Sequence, residues 1–102
     1  MTDRELLELA AKAEGREVKY MTVTNARGEF VEKFIACWNP LTDDGDALRL
    51  AVKLGIRIAH MGERACAFFG LREFWEPEAG EPYTATRRAI VRAAAEIGKA
   101  MP

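Results

Sequence analysis

The stretch "WNPLTDDGDALRLAVKLG", Trp38 to Gly55, decides the fold reading. Asn39-Pro40 closes whatever strand precedes it, because proline has no N–H for a ladder and biases the residue before it away from the helical region. Thr42 then reads as an N-cap. Asp43, Asp44 and Asp46 fall in the first turn, where carboxylates interact favourably with the positive end of the helix dipole. Leu48, Ala51, Val52 and Leu54 form one apolar face, Arg49 and Lys53 the other. Gly55 ends the helix. An acidic cluster of this kind also invites a metal reading. An EF-hand loop needs oxygen ligands at alternating positions and a bidentate Glu at the twelfth, but the twelfth residue from Asp43 is Leu54. No Gly-rich phosphate loop accompanies the aspartates. The helix start is the preferred reading.

Outward from this helix, the chain alternates between helical and strand patterns. "TDRE" at Thr2–Glu5 fits a capping box, in which Thr2 accepts from the Glu5 N–H and Glu5 reaches back. Leu6, Leu9, Ala10 and Ala13 follow at helical spacing up to Gly15, giving a helix over 3–14. "EVKYMTVT" and "EFVEKFIACW" flank the turn "NARG", giving a hairpin with strands over 17–24 and 29–37. The second run does not alternate cleanly, which leaves room for a bulge. "IRIAHMG" and "RACAFFG" give a second hairpin over 56–60 and 64–69. "REFWEPEAGEP", with four glutamates and two prolines, reads as a loop with room for one short strand near Phe74. Pro82 suits a first helical turn, and 84–99 is an alanine-rich helix. The order α-β-β-α-β-β-α implies an α+β domain, with a small antiparallel sheet layered with three helices.

The 102 residues fit one domain, 1–102. With 49% hydrophobic and 30% charged residues, the chain has a globular composition. The net charge of −1 weighs against a nucleic-acid binder, which usually shows a basic excess. The N-terminus lacks a basic segment followed by an apolar one, and no apolar run approaches a membrane span. A cytoplasmic location is expected, without membrane association.

The two cysteines, Cys37 and Cys66, sit in apolar runs and read as buried free thiols, though a disulfide between neighbouring strands is geometrically open. With the single histidine, His60, they fall short of a tetrahedral zinc set. A catalytic role for His60 would need an aspartate or cysteine partner within hydrogen-bond reach. The alternative is a partly buried strand histidine, aligned with Ile56 and Ile58. Catalytic, cofactor and metal residues are therefore expected to be none. Two candidate surfaces remain. Phe68, Phe69, Phe74 and Trp75 form the densest aromatic cluster. Phe68 and Phe69 must point to opposite faces of a strand, and a small sheet with one open face would present part of this cluster to a partner. Arg87, Arg88 and Arg92 form the basic face of the last helix. They are a candidate nucleic-acid surface, unless the glutamates of the preceding loop pair with them.

Trp38, Asn39, Pro40, Asp46, Ala47, Ala89, Ile90, Arg92 and Ala93 carry a further signal: a "W-x-P" step before an acidic helix start, and an "A-x-R-A" flavour in the final helix. In these motifs the chain resembles small bacteriophage and prophage proteins of the phage ABA sandwich domain family and their relatives. The segment "EVKYMTVTNARGEFVEKFIACW" departs from that pattern, lacking its tryptophan-rich, acidic strand. The resemblance implies a layered α/β sandwich, a phage or prophage accessory role in the host cytoplasm, and no catalytic residues or cofactor. The expected function is non-enzymatic binding to a host or defence protein, with anti-CRISPR inhibition as one example. The alternative is a nucleic-acid-binding accessory protein. A homodimer is compatible with both.

Overall fold

A computed structural model describes residues 1–17, 20–34 and 38–102. In chain order it contains α1 (Asp3–Glu14), β1 (Tyr20–Thr24), β2 (Phe30–Phe34), α2 (Asp44–Leu54), β3 (Arg57–Met61), β4 (Arg64–Phe69), β5 (Arg72–Pro77) and α3 (Pro82–Ala100). The class is α+β, as the sequence implies, but the described residues form two antiparallel sheets rather than one. The pair β1–β2 stands alone, and β3-β4-β5 form the second sheet.

Local chemistry explains the helix ends. The Thr2 hydroxyl accepts from the Glu5 N–H at 3.1 Å, and the Glu5 carboxylate meets that hydroxyl at 3.2 Å. Helix α2 is capped by Asp43 rather than Thr42: the Asp43 carboxylate accepts from the Asp46 N–H at 2.8 Å. Thr42 instead belongs to the preceding turn, its N–H donating to the Asn39 carbonyl. Glu81 caps α3, accepting from the Tyr83 and Thr84 N–H groups, with Pro82 in the first turn.

The strands differ from expectation in three places. The first hairpin is shorter, Tyr20–Thr24 against Phe30–Phe34. Val18, Lys19 and Ile35–Cys37, which the sequence assigns to these strands, lie outside the described residues. The turn is closed by the Asn25 side chain, which accepts from the Arg27 and Glu29 N–H groups. Ile56 precedes β3 and belongs to the core. The segment after Phe69, read as a loop with room for one short strand near Phe74, is strand over all of Arg72–Pro77: β5 pairs with β4 in the register Cys66↔Trp75, Ala67↔Phe74. Its glutamates are tolerated because β5 is an edge strand, with no strand among the described residues on its outer side.

Helix α3 organises the core. Helices α1 and α2 pack against it, and it lies across β4 and β5. Its small residues Ala89, Ala93 and Ala94 are buried with Leu6, Leu7, Leu50, Trp38 and Phe74. On α2 the buried stripe is Ala47, Leu50 and Ala51, with Leu54 packed at its edge; of the expected face Ala51 and Leu54 hold, whereas Leu48 is 59% and Val52 74% exposed. Apolar residues span a wide arc of this helix beside Arg49 and Lys53, so contact with α3 chooses which part of that arc is buried.

Candidate functional site

The register of the larger sheet sorts its side chains into two faces, since successive residues of a strand point opposite ways. Ala65, Ala67, Phe74 and Glu76 face α3. Ala65 and Ala67 are fully buried, and Phe74 is 6% exposed. Arg64, Cys66 and Phe68 on β4 share the opposite face with Trp75 and Glu73 on β5 and with Arg57 and Ala59 on β3. Among the described residues, no helix packs over this second face.

The open face carries a built aromatic patch. The rings of Phe68 and Trp75 meet edge to face, with centroids 6.3 Å apart and planes at 77°. The Arg64 guanidinium lies 4.6 Å from the Trp75 ring centroid. The Trp75 indole N–H donates to the Glu73 carboxylate at 2.9 Å. Each contact fixes a rotamer, so Trp75 is held in place at a half-exposed position. Cys66 lies in the middle of this face and is fully buried. Burial pushes its thiol pKa up, with the Glu73 charge acting in the same direction. A thiol held in its neutral form is a poor nucleophile. Cys66 is free; Cys37 lies outside the described residues.

The aromatic cluster read from the sequence therefore divides. Phe68 and Trp75 come together on the open face. Phe74 joins the core, and Phe69 sits on the α3-facing side at its rim, 40% exposed. Arg64 and Glu73 complete the patch and were not singled out from the sequence. The signal for Arg64 was the period-two row Arg64, Cys66, Phe68, and for Glu73 its place two residues before Trp75 on the same face of β5.

Each of the three arginines of α3 is engaged inside the chain. Arg87 donates to the Leu41 carbonyl at 2.9 Å and to Asp44 at 2.6 Å. Arg88 pairs with Asp3 and Glu76, at 3.0 and 3.3 Å. Arg92 reaches Glu76 at 3.4 Å and donates to the Trp75 carbonyl at 2.9 Å. Asp43, Asp44 and Asp46 diverge in the same way: Asp43 caps α2, Asp44 holds Arg87, and Asp46 accepts from the Asn39 N–H and the Arg49 guanidinium. His60 is more exposed than its strand row suggested. Its side chain is 52% exposed, and its Nδ1 lies 3.4 Å from Glu78 Oε2, a glutamate in place of the aspartate or cysteine considered from the sequence.

No helix among the described residues is long and apolar enough to cross a membrane. No protein-family model matches the chain, and neither a curated protein nor a solved structure matches it.

Proposed function

We propose that the protein is a non-enzymatic binding module whose open sheet face docks on another protein. One observation carries this reading: the face that no helix among the described residues covers holds a pre-ordered Trp75–Phe68 pair with Arg64 laid on the indole. Tryptophan and arginine are the residues most enriched at binding hot spots, and a side chain already fixed in one rotamer loses less entropy on binding. Glu73, Arg57 and Arg64 supply a mixed-sign rim suited to orienting a protein partner.

Nucleic acid is the second reading, through Arg87, Arg88 and Arg92. A phosphate there would compete with the carboxylates and carbonyls that already hold these guanidinium groups. On the open face, a stacking base would have to displace Arg64 from Trp75, beside the Glu73 carboxylate. The protein partner is therefore preferred. A phage or prophage accessory role in the host cytoplasm belongs to the same proposal, with inhibition of a host or defence protein as its form. Its support is the resemblance carried by Trp38, Pro40, Asp46, Ala89 and Arg92.

The test is capture from bacterial lysate on immobilised protein, with mass spectrometry of what is retained, beside Trp75→Ala and nuclease-treated controls. A stoichiometric protein lost with Trp75→Ala is the expected result. A partner indifferent to Trp75→Ala and Phe68→Ala removes this surface. Retention that nuclease abolishes transfers the function to nucleic acid.

A further inference from the structure

The two edges of the larger sheet are built differently. Strand β5 carries Arg72, Glu73, Glu76 and Pro77, charges and a proline of the kind that blunt an edge against pairing. Strand β3 reads Arg57, Ile58, Ala59, His60, Met61, with one permanent charge at its start. All of these residues are exposed except the half-buried Ala59, and among the described residues no strand pairs with its outer side.

Both flanks of β3 are hollow. On the α3 side, Ile58 and His60 border a groove of about 430 Å³ shared with Leu48 and Tyr83, and both of these partners are exposed. On the open side, Arg57, Ala59 and Phe68, together with Ile58 at the strand edge, line a smaller depression of about 320 Å³. A strand added along β3 would send alternate side chains into the two hollows.

The charges select the occupant. Arg57 stands at the start of β3, and Glu63 lies in the turn just beyond its end. Among the described residues neither side chain has an ion-pair partner within the chain, although most other arginines do. An antiparallel second copy of β3 reverses these ends.

We propose that two copies of this chain pair their β3 strands antiparallel about a two-fold axis at Ala59, making one sheet continuous across a homodimer. This register uses the whole of β3. It sets Ala59 against itself, the smallest side chain at the axis. Ile58 lies beside His60 of the other copy in the groove, and no like charges are placed opposite each other. Arg57 of each copy arrives at the end of the other's β3, where the Glu63 turn begins. The contact is isologous and closed, so it ends at a dimer. It leaves Trp75 clear of the axis, while Phe68 and Arg57 border the hollow that the other copy enters, so Trp75→Ala separates this contact from the partner-binding reading above.

Sedimentation equilibrium on the full chain, up to about 100 μM protomer, tests it. The wild type should dimerise. Arg57→Glu and Glu63→Arg, both at exposed sites, should each weaken the dimer about tenfold, since each reversal acts twice across the axis. The double variant R57E/E63R should recover wild-type affinity to within about threefold. Circular dichroism of each variant shows that the fold is intact. A wild type monomeric throughout overturns the proposal. So do single reversals without effect, a double variant that stays weak, or a dimer abolished by Trp75→Ala and not by Arg57→Glu.

Discussion

Asp46 shows how one side chain ties two segments together. It is a nearly buried acid whose carboxylate takes the Asn39 N–H at 2.9 Å and the Arg49 guanidinium at 2.8 Å. Burial alone would raise its pKa. The Asn39 hydrogen bond, Arg49 and the charge of Arg16 outweigh burial and hold the carboxyl below its ordinary 3.8. A depressed folded-state pKa contributes stability above the unfolded value, and that stability is lost as pH falls through the folded one. Asp46→Asn should therefore lower stability by about 1 kcal/mol at neutral pH, with Arg49 largely in solvent. The gap between variant and wild type should close below pH 3.8, as followed by urea unfolding at several pH values. Gly98 offers the second test at this scale. A Cβ there would land on the Leu9 carbonyl, so α1 and α3 touch where a side chain is absent. Gly98→Ala should gain about 1 kcal/mol in helix propensity and still lose about 2 kcal/mol net through overpacking. Thermal denaturation reads the sign directly.

Whole elements differ in how openly the sequence declares them. Helix α1 was legible end to end, because Thr2, Glu5 and Gly15 act through neighbours within the chain and need no tertiary partner. Strand β5 was not. Its glutamates and Pro77 imitate a loop, and only pairing with β4 makes Arg72–Pro77 extended. A local signal did exist: Gly70 begins the β4–β5 turn with φ 61°, as Gly62 begins the β3–β4 turn with φ 62°. Tight two-residue hairpin turns favour glycine at that first position. Neighbouring residues of β5 also have opposite fates, which gives a comparison within one strand. Phe74→Ala removes a buried ring from the core and should cost about 3–4 kcal/mol. Trp75→Ala, on the open face, should cost about 1 kcal/mol, the worth of its aromatic and cation contacts. Chemical denaturation of the two variants side by side checks the assignment of faces.

At the scale of the molecule, stability should be unevenly distributed. The sheet β3-β4-β5 is backed by α3, whereas β1 and β2 chiefly contact each other. An unsupported two-stranded hairpin is marginal in water. Amide hydrogen exchange should therefore be fast at Met21–Thr24 and Phe30–Val31 and slow at Ala65–Ala67, with the two groups opening independently. Equal protection in both would show that the hairpin is held by the body of the protein.

The sequence by itself determined the three helices, the Thr2 cap of α1 and the α+β class, because each rests on interactions a few residues apart. Tertiary structure alone decided which side of α2 is buried, that Phe74 is core while Trp75 is surface, and that Arg87, Arg88 and Arg92 are spent on internal carboxylates and carbonyls. Those outcomes depend on residues far apart in the chain, as when Arg88 meets Asp3 at 3.0 Å. Periodicity shows that a strand has two faces. Only the placement of α3 shows which of them is left open.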